Sequence, residues 1–176
     1  MSYYRRNYLA GGTFFFTVKL ADPKSRLLVE YIHLLREAYA FVQKRYPFET
    51  AAICVLPNHI HAIWTLPDGE YDYSLRWRLI KTRFSNHFTK QDNLSASKQR
   101  RHEKGIWQRR FYEHTIRNET DYQRCVDYVH FNPVKHGIST NVKDWPFSSF
   151  HHYVNNGLLP PDWGGTRETL IMHFAE

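Results

Sequence analysis

Residues 51–66 restrict the fold more than any other stretch. Ala51 to Leu56 and His59 to Leu66 are both of strand length and mostly apolar, and only Pro57-Asn58 separates them. Pro67-Asp68-Gly69 stops the second run. Two strands joined by so short a turn are predicted to pair as a hairpin. A further strand is predicted over Gly12 to Leu20, where Thr13-Phe14-Phe15-Phe16-Thr17-Val18 is β-branched and aromatic. Asp22-Pro23 breaks it. Leu28, Ile32, Leu35, Tyr39 and Val42 then recur at helical spacing, predicting a helix over 24–45 that Pro47 ends.

The second half repeats the alternation. Leu75, Leu79, Ile80, Phe84 and Phe88 give a helix over 74–90 its buried side. A polar segment, Gln91 to Lys104, reads as a mobile loop, and Ile106 to Thr115 as a fourth strand. Asn118, with Asp121 three residues on, is a plausible N-cap for a third helix reaching about His130 or beyond and stopping near Asn132-Pro133 and Gly137. The order is βαββαβ and then a helix. That predicts an α+β, ferredoxin-like fold: one antiparallel sheet with helices on one face, plus an extra C-terminal helix. Residues 1–138 form the expected domain. Residues 139–176, rich in Trp, Pro and His, form an extension of turns and one short helix packed on it.

The 176 residues suit one domain with a real core, and 42% hydrophobic content argues against global disorder. No apolar run approaches the ~20 residues of a membrane helix, and the start, Met1-Ser2-Tyr3-Tyr4-Arg5-Arg6, has no signal-peptide core, so a cytoplasmic location is expected. Cys54 and Cys125 form no zinc-type spacing and read as buried thiols. The formal net charge is +7, and it is concentrated. Residues 76–110 hold eleven Lys/Arg against two acids, while the remainder holds thirteen against fifteen. Positive charge gathered in 35 residues points to a polyanion such as a phosphate backbone, with a plain solvated surface as the alternative.

His59-Ile60-His61 is the sharpest local feature, because residues i and i+2 of a strand face the same side. Both imidazoles would project together from an apolar strand, where they need a partner. Tyr128 and Asn132, four apart on the third helix, bring a phenol and an amide to one helical face. A phenol is a potential nucleophile and an amide oxygen a serviceable ligand for Mg²⁺ or Mn²⁺. The same spacing also suits a packed tyrosine and a capping asparagine, and Tyr39 with Gln43 shows it on the first helix, where Tyr39 sits on the apolar stripe. His114 is an alternative ligand. The other histidines, His136 among them, read as surface or packing residues. There is no P-loop or dinucleotide fingerprint, so no nucleotide cofactor is expected.

The segments Leu56-Pro57-Asn58-His59-Ile60-His61-Ala62-Ile63-Trp64, Trp107 to His114 and Asp127 to Gly137 together resemble the single-tyrosine HUH transposases of insertion sequences, and most of all the REP-associated tyrosine transposases. Tyr3, Arg5 and Arg6, Gly11-Gly12-Thr13 and Asp144 to Ser148 extend the resemblance over nearly the whole chain. It implies a divalent metal (Mg²⁺ or Mn²⁺) on His59, His61 and Asn132, with Tyr128 as nucleophile. It implies a single-stranded DNA substrate folded as REP hairpins, and a 5′-phosphotyrosine intermediate. Tyr3, Arg5 and Arg6 would help read a short 5′ tetranucleotide. Arg76, Arg83 and Lys90 would hold the DNA backbone, joined by the loop carrying Arg100 and Arg101, while Arg109 and Arg110 would reach bases or the scissile phosphate. A monomer is expected, with a homodimer left open. The competing readings are a catalytically idle hairpin-binding module and a metal-dependent RNA-binding or RNA-cleaving protein. Because Asn132 precedes Pro133, an early helix end would remove it from the site.

Overall fold

The computed structural model describes residues 7–89 and 94–164. Tyr3, Arg5, Arg6 and Lys90 lie outside the described residues. The elements are β1 (Thr13–Lys19), α1 (Leu27–Glu30), α2 (Ile32–Arg45), β2 (Glu49–Val55), β3 (His59–Thr65), α3 (Tyr73–Ser85), α4 (Ala96–Arg100), β4 (Tyr112–Thr115), α5 (Glu119–Lys135), a 3-10 turn at Val142–Asp144 and α6 (Phe150–Asn155). The strands form one antiparallel sheet in the order β2-β3-β1-β4.

Alternation along the strands divides the core in two. Phe14, Phe16 and Val18 of β1 and Ile60, Ala62 and Trp64 of β3 pack beneath α2 and α3. Phe15, Ala52, Cys54 and Ile63 face the other way, against Cys125, Val126, Tyr128 and Val129 of α5. Both middle strands are therefore buried on both faces, which explains why β3 alternates so poorly in sequence. Trp64 anchors the first layer. Its ring stacks on Trp77 at 4.2 Å and lies 4.0 Å from Phe48. Its Nε1–H donates to Tyr39 Oη (2.7 Å), which is hydrogen-bonded in turn to Thr50 Oγ1. Tyr39 is thus a core residue, and burial pushes its phenol well above the ordinary range.

Five sequence expectations need correction. The first helix is broken at Tyr31 into α1 and α2. The second stops at Ser85, and its buried face is Tyr73, Trp77, Ile80 and Phe84, with Arg76 on the flank of that face. Arg76 does not offer itself to a DNA backbone. It is 2% exposed, and its guanidinium donates to the carbonyls of Tyr46, Asp72 and Pro47 and pairs with Glu70. A buried cation needs such partners, and the turn after α2 and the segment before α3 supply two each. The polar segment before β4 contains the short α4, capped by Ser95. The fourth strand is only Tyr112–Thr115. Ile106 to Gln108 runs past the end of β1, held by the Ala21 N–H to Ile106 O and Gln108 N–H to Lys19 O bonds, before the chain leaves and returns.

α5 begins where expected. Asn118 caps it, accepting from the Asp121 N–H at 2.9 Å. Pro133 does not end it, and the helix continues to Lys135 before Gly137 turns the chain at φ +65°. The following segment then adds a short rung to the outer edge of β2. The Val55 N–H donates to Phe147 O and the Ser149 N–H to Ile53 O, so the edge strand is covered. No helix among the described residues is long and apolar enough to cross a membrane.

Candidate active site

β3 and α5 bring the predicted residues together. His59 and His61 point to the α5 face of the sheet with ring centroids 4.8 Å apart. The Tyr128 ring lies 5.2 Å from that of His61 and packs edge-on against Phe15. Tyr128, Asn132 and His136 succeed one another at i, i+4 and i+8, so the same face of α5 continues to its C-cap. His136 completes the cluster: its ring is 5.0 Å from His59, and one ring nitrogen from each of His59, His61 and His136 lies within 4.8 Å of the others.

Hydrogen bonds orient the two strand imidazoles. Asn58 must aim its amide nitrogen at the Pro23 carbonyl, so its Oδ1 faces His59 Nδ1 at 2.6 Å. His59 Nδ1 therefore carries a proton, which leaves Nε2 as the atom for a ligand whenever the ring holds only that one proton. His61 Nδ1 is 2.9 Å from Thr17 Oγ1, and with Nδ1–H donating there, Nε2 is the lone-pair atom. Burial, followed by the nearby positive charges of His59, His136, Lys19 and Lys135, holds His61 well below the usual histidine range, so it is neutral near pH 7. His61 Nε2 and Asn132 Oδ1 are both fully buried atoms without a hydrogen-bond partner. Leaving such atoms unmatched costs about 1–3 kcal/mol each, unless a cation takes both. Two lone-pair nitrogens, a third imidazole and an orphaned amide oxygen are a donor set that fits a divalent metal.

Lys135, which sequence reasoning did not single out, lies against the phenol. Its Nζ donates to Tyr128 Oη at 3.1 Å and sits 4.6 Å from the ring centroid. Such a cation stabilises charge on the oxygen as its proton leaves. The spacing Tyr128, Asn132, Lys135, His136 was visible in the chain. Only the helix continuing through Pro133 gives it meaning. His114, the alternative ligand, instead pairs with Asp121 at 2.9 Å.

The basic residues divide. Arg83 is tied to Glu37 (3.3 Å) and stacked 3.9 Å over Phe41, bridging α3 to α2. Arg101 and Arg109 line an open groove of about 840 Å³ along α3, together with Arg78, Lys81 and Lys104, and Arg109 also pairs with Glu103. Arg100 and Arg110 are exposed nearby in the chain. Arg78 and Lys81 lie on the groove side of α3, which helical spacing alone does not distinguish from the side of Arg76. The groove wall and the histidines meet at one end of β1: Lys19 pairs with His59 in register, and its carbonyl accepts from Gln108.

Residues 22–132 match the family described as IS200-like transposase. This chain belongs to that family. It is 50% identical over 165 residues to an Escherichia coli K12 protein named REP-associated tyrosine transposase, covering 94% of this chain and 92% of that one. It is 45% identical over 172 residues to a Haemophilus influenzae relative of the same group, covering 97% and 98%. A solved structure titled as a REP-associated tyrosine transposase bound to a REP hairpin superposes with a TM-score of 0.85 at 47% identity, covering 99% of this chain and 96% of that one.

Proposed function

We propose that this transposase-family protein is a metal-dependent single-strand DNA transesterase that binds REP-type hairpins and cleaves near them through Tyr128. The observation that carries the reading is the convergence of the Tyr128 phenol, its Lys135 ammonium and the two strand histidines on one face of the sheet. The relatives' association with REP elements, and a 47% identical structure with a REP hairpin, support the choice of substrate.

In this reading Tyr128 Oη attacks the scissile phosphorus. The Oη–P bond forms, the P–O3′ bond breaks, and the 3′ oxygen leaves with a proton, so the 5′ phosphate stays on the tyrosine. Lys135 holds the phenol oxygen and stabilises its charge as the proton departs. His59, His61 and Asn132, with His136 as a further donor, would hold Mg²⁺ or Mn²⁺. When bound, the ion supplies Lewis-acid polarisation of the phosphoryl oxygens. The phosphotyrosine conserves the bond energy, so no nucleotide cofactor is needed. Arg78, Lys81, Arg101, Lys104 and Arg109 grip the DNA backbone in the groove and lead it past the end of β1. Tyr3, Arg5 and Arg6 contribute to reading the tetranucleotide. Residues 1–138 act as the nuclease unit, with 139–176 packed on it. The active unit is read as a monomer, since Tyr128 reaches the histidines of its own chain, with a homodimer as the alternative.

The test is incubation of the protein with single-stranded REP-hairpin DNA and Mn²⁺. Wild type is expected to form a denaturation-resistant protein–DNA adduct, and Tyr128→Phe none. His59→Ala is expected to lose cleavage while keeping most hairpin affinity. An adduct in Tyr128→Phe would reject the assignment, and hairpin binding without any adduct in wild type would leave an idle binding module.

A further inference from the structure

A second group of metal-type side chains lies away from the histidine cluster, between β4 and the first turns of α5. His114, Asp121 and Cys125 each place a ligand atom within 4.8 Å of the others. Asp121 and Cys125 stand one turn apart on α5, and His114 reaches them from the strand. Cys125 is fully buried, while the side chains of His114 and Asp121 are 23% and 20% exposed, so the group is closed on the inside and reachable from outside.

Its local chemistry is suited to a cation. His114 Nε2 lies 2.9 and 3.0 Å from the two oxygens of Asp121, within hydrogen-bond reach of both. The Arg117 N–H holds the same carboxylate at 3.1 Å, and Asn118 ties the Asp121 backbone. Burial, and then the Asp121 charge, push the Cys125 thiol up to about 12, so it keeps its proton until a positive charge arrives. Around a tetrahedral zinc ion with bonds of about 2.0–2.3 Å, ligand atoms stand roughly 3.4 Å apart. The His–Asp pair would open by a few tenths of an ångström, and the sulfur would close by at most about 1 Å.

We propose that His114, Asp121 and Cys125 form a second metal site, for Zn²⁺ or a similarly soft divalent ion, clamping the start of α5 to β4. The ion takes the Nε2 position between His114 and Asp121, with the imidazole N–H on Nδ1, and displaces the thiol proton of Cys125, so binding releases that proton and strengthens with rising pH. The fourth position falls to water. Tyr128 follows Cys125 by less than one turn, so the clamp fixes the helix that carries it. The site stands independently of the nuclease reading.

Co²⁺ titration of the chelator-treated, full-length protein tests this, because only a thiolate ligand gives a near-ultraviolet sulfur-to-cobalt charge-transfer band. That band is expected in wild type and in Cys54→Ser, to saturate at one Co²⁺ per chain in His59→Ala, where the histidine site no longer competes, and to vanish in Cys125→Ser. His114→Gln, which keeps the thiol and side-chain size, is expected to weaken the site about 10–100-fold. Zn²⁺ should abolish the band and raise the Tm of wild type more than that of His114→Gln. Absence of the band in wild type, its persistence in Cys125→Ser, or cobalt spectra that depend only on His59 would overturn the proposal.

Discussion

The two faces of the sheet are built from the same strands yet serve opposite ends. Under α2 and α3, every inward residue of β1 and β3 is apolar, and the one polar handle, the Trp64 indole, is matched by Tyr39. Under α5, the alternate residues of those strands are Phe15, Thr17, His59, His61 and Ile63, and two buried polar atoms are left without partners. On the first face the strands leave no polar atom unmatched, although the Trp77 indole that α3 packs over them has no partner, and that face is a foundation. A face that buries unmatched lone pairs beside a phenol and an ammonium bears a cost that stability alone does not explain. Adjacent residues of one strand therefore belong to different systems, and substitutions at neighbouring positions should separate them.

The largest effect is expected on the foundation. Trp64→Ala should cost about 3–5 kcal/mol in chemical denaturation while each folded molecule still forms the adduct. Loss of adduct formation at full folding would break the division. On the other face, Lys135→Met should slow single-turnover adduct formation about 10²–10³-fold with little change in denaturation midpoint or hairpin affinity. Thr17→Val removes the group that orients His61, so metal affinity read by calorimetry should fall about 10–100-fold, and excess metal should restore activity. The smallest effects distinguish two arginines on α3. Arg78→Gln should reduce the salt slope of DNA binding by about one unit and leave stability unchanged. Arg76→Leu should leave that slope alone and destabilise the protein by about 2–3 kcal/mol, since three carbonyls lose their donor. Exchanged outcomes would show that α3 meets DNA through its flank over the 46–47 turn.

Elements with strong local signals were legible in the chain. The Pro57-Asn58 turn, the β-branched run at 13–18 and the Asn118 cap each act over a few residues, so β1, the hairpin and the start of α5 lie where the pattern puts them. Elements set by packing were not. β4 is short because the chain at 109–111 leaves the sheet, and α3 ends early, neither of which periodicity reveals. Within the site, His59 and His61 could be paired from strand geometry alone. His136 and Lys135 could not, because their roles depend on α5 continuing through Pro133, against the local bias of a residue before proline.

The sequence by itself determined the alternation that sends two histidines to one side of β3 and three apolar residues to the other, since side-chain direction in a strand follows position. It also determined where the positive charge is concentrated. Only the tertiary structure decided which cations remain available and what the histidines meet. An arginine's partners are carbonyls and carboxylates distant in sequence, so burial of Arg76 and exposure of Arg78 follow from the packing of α3 against the turn after α2. The meeting of His61 with Tyr128 likewise exists only because α5 folds back over the sheet, across 67 residues of chain.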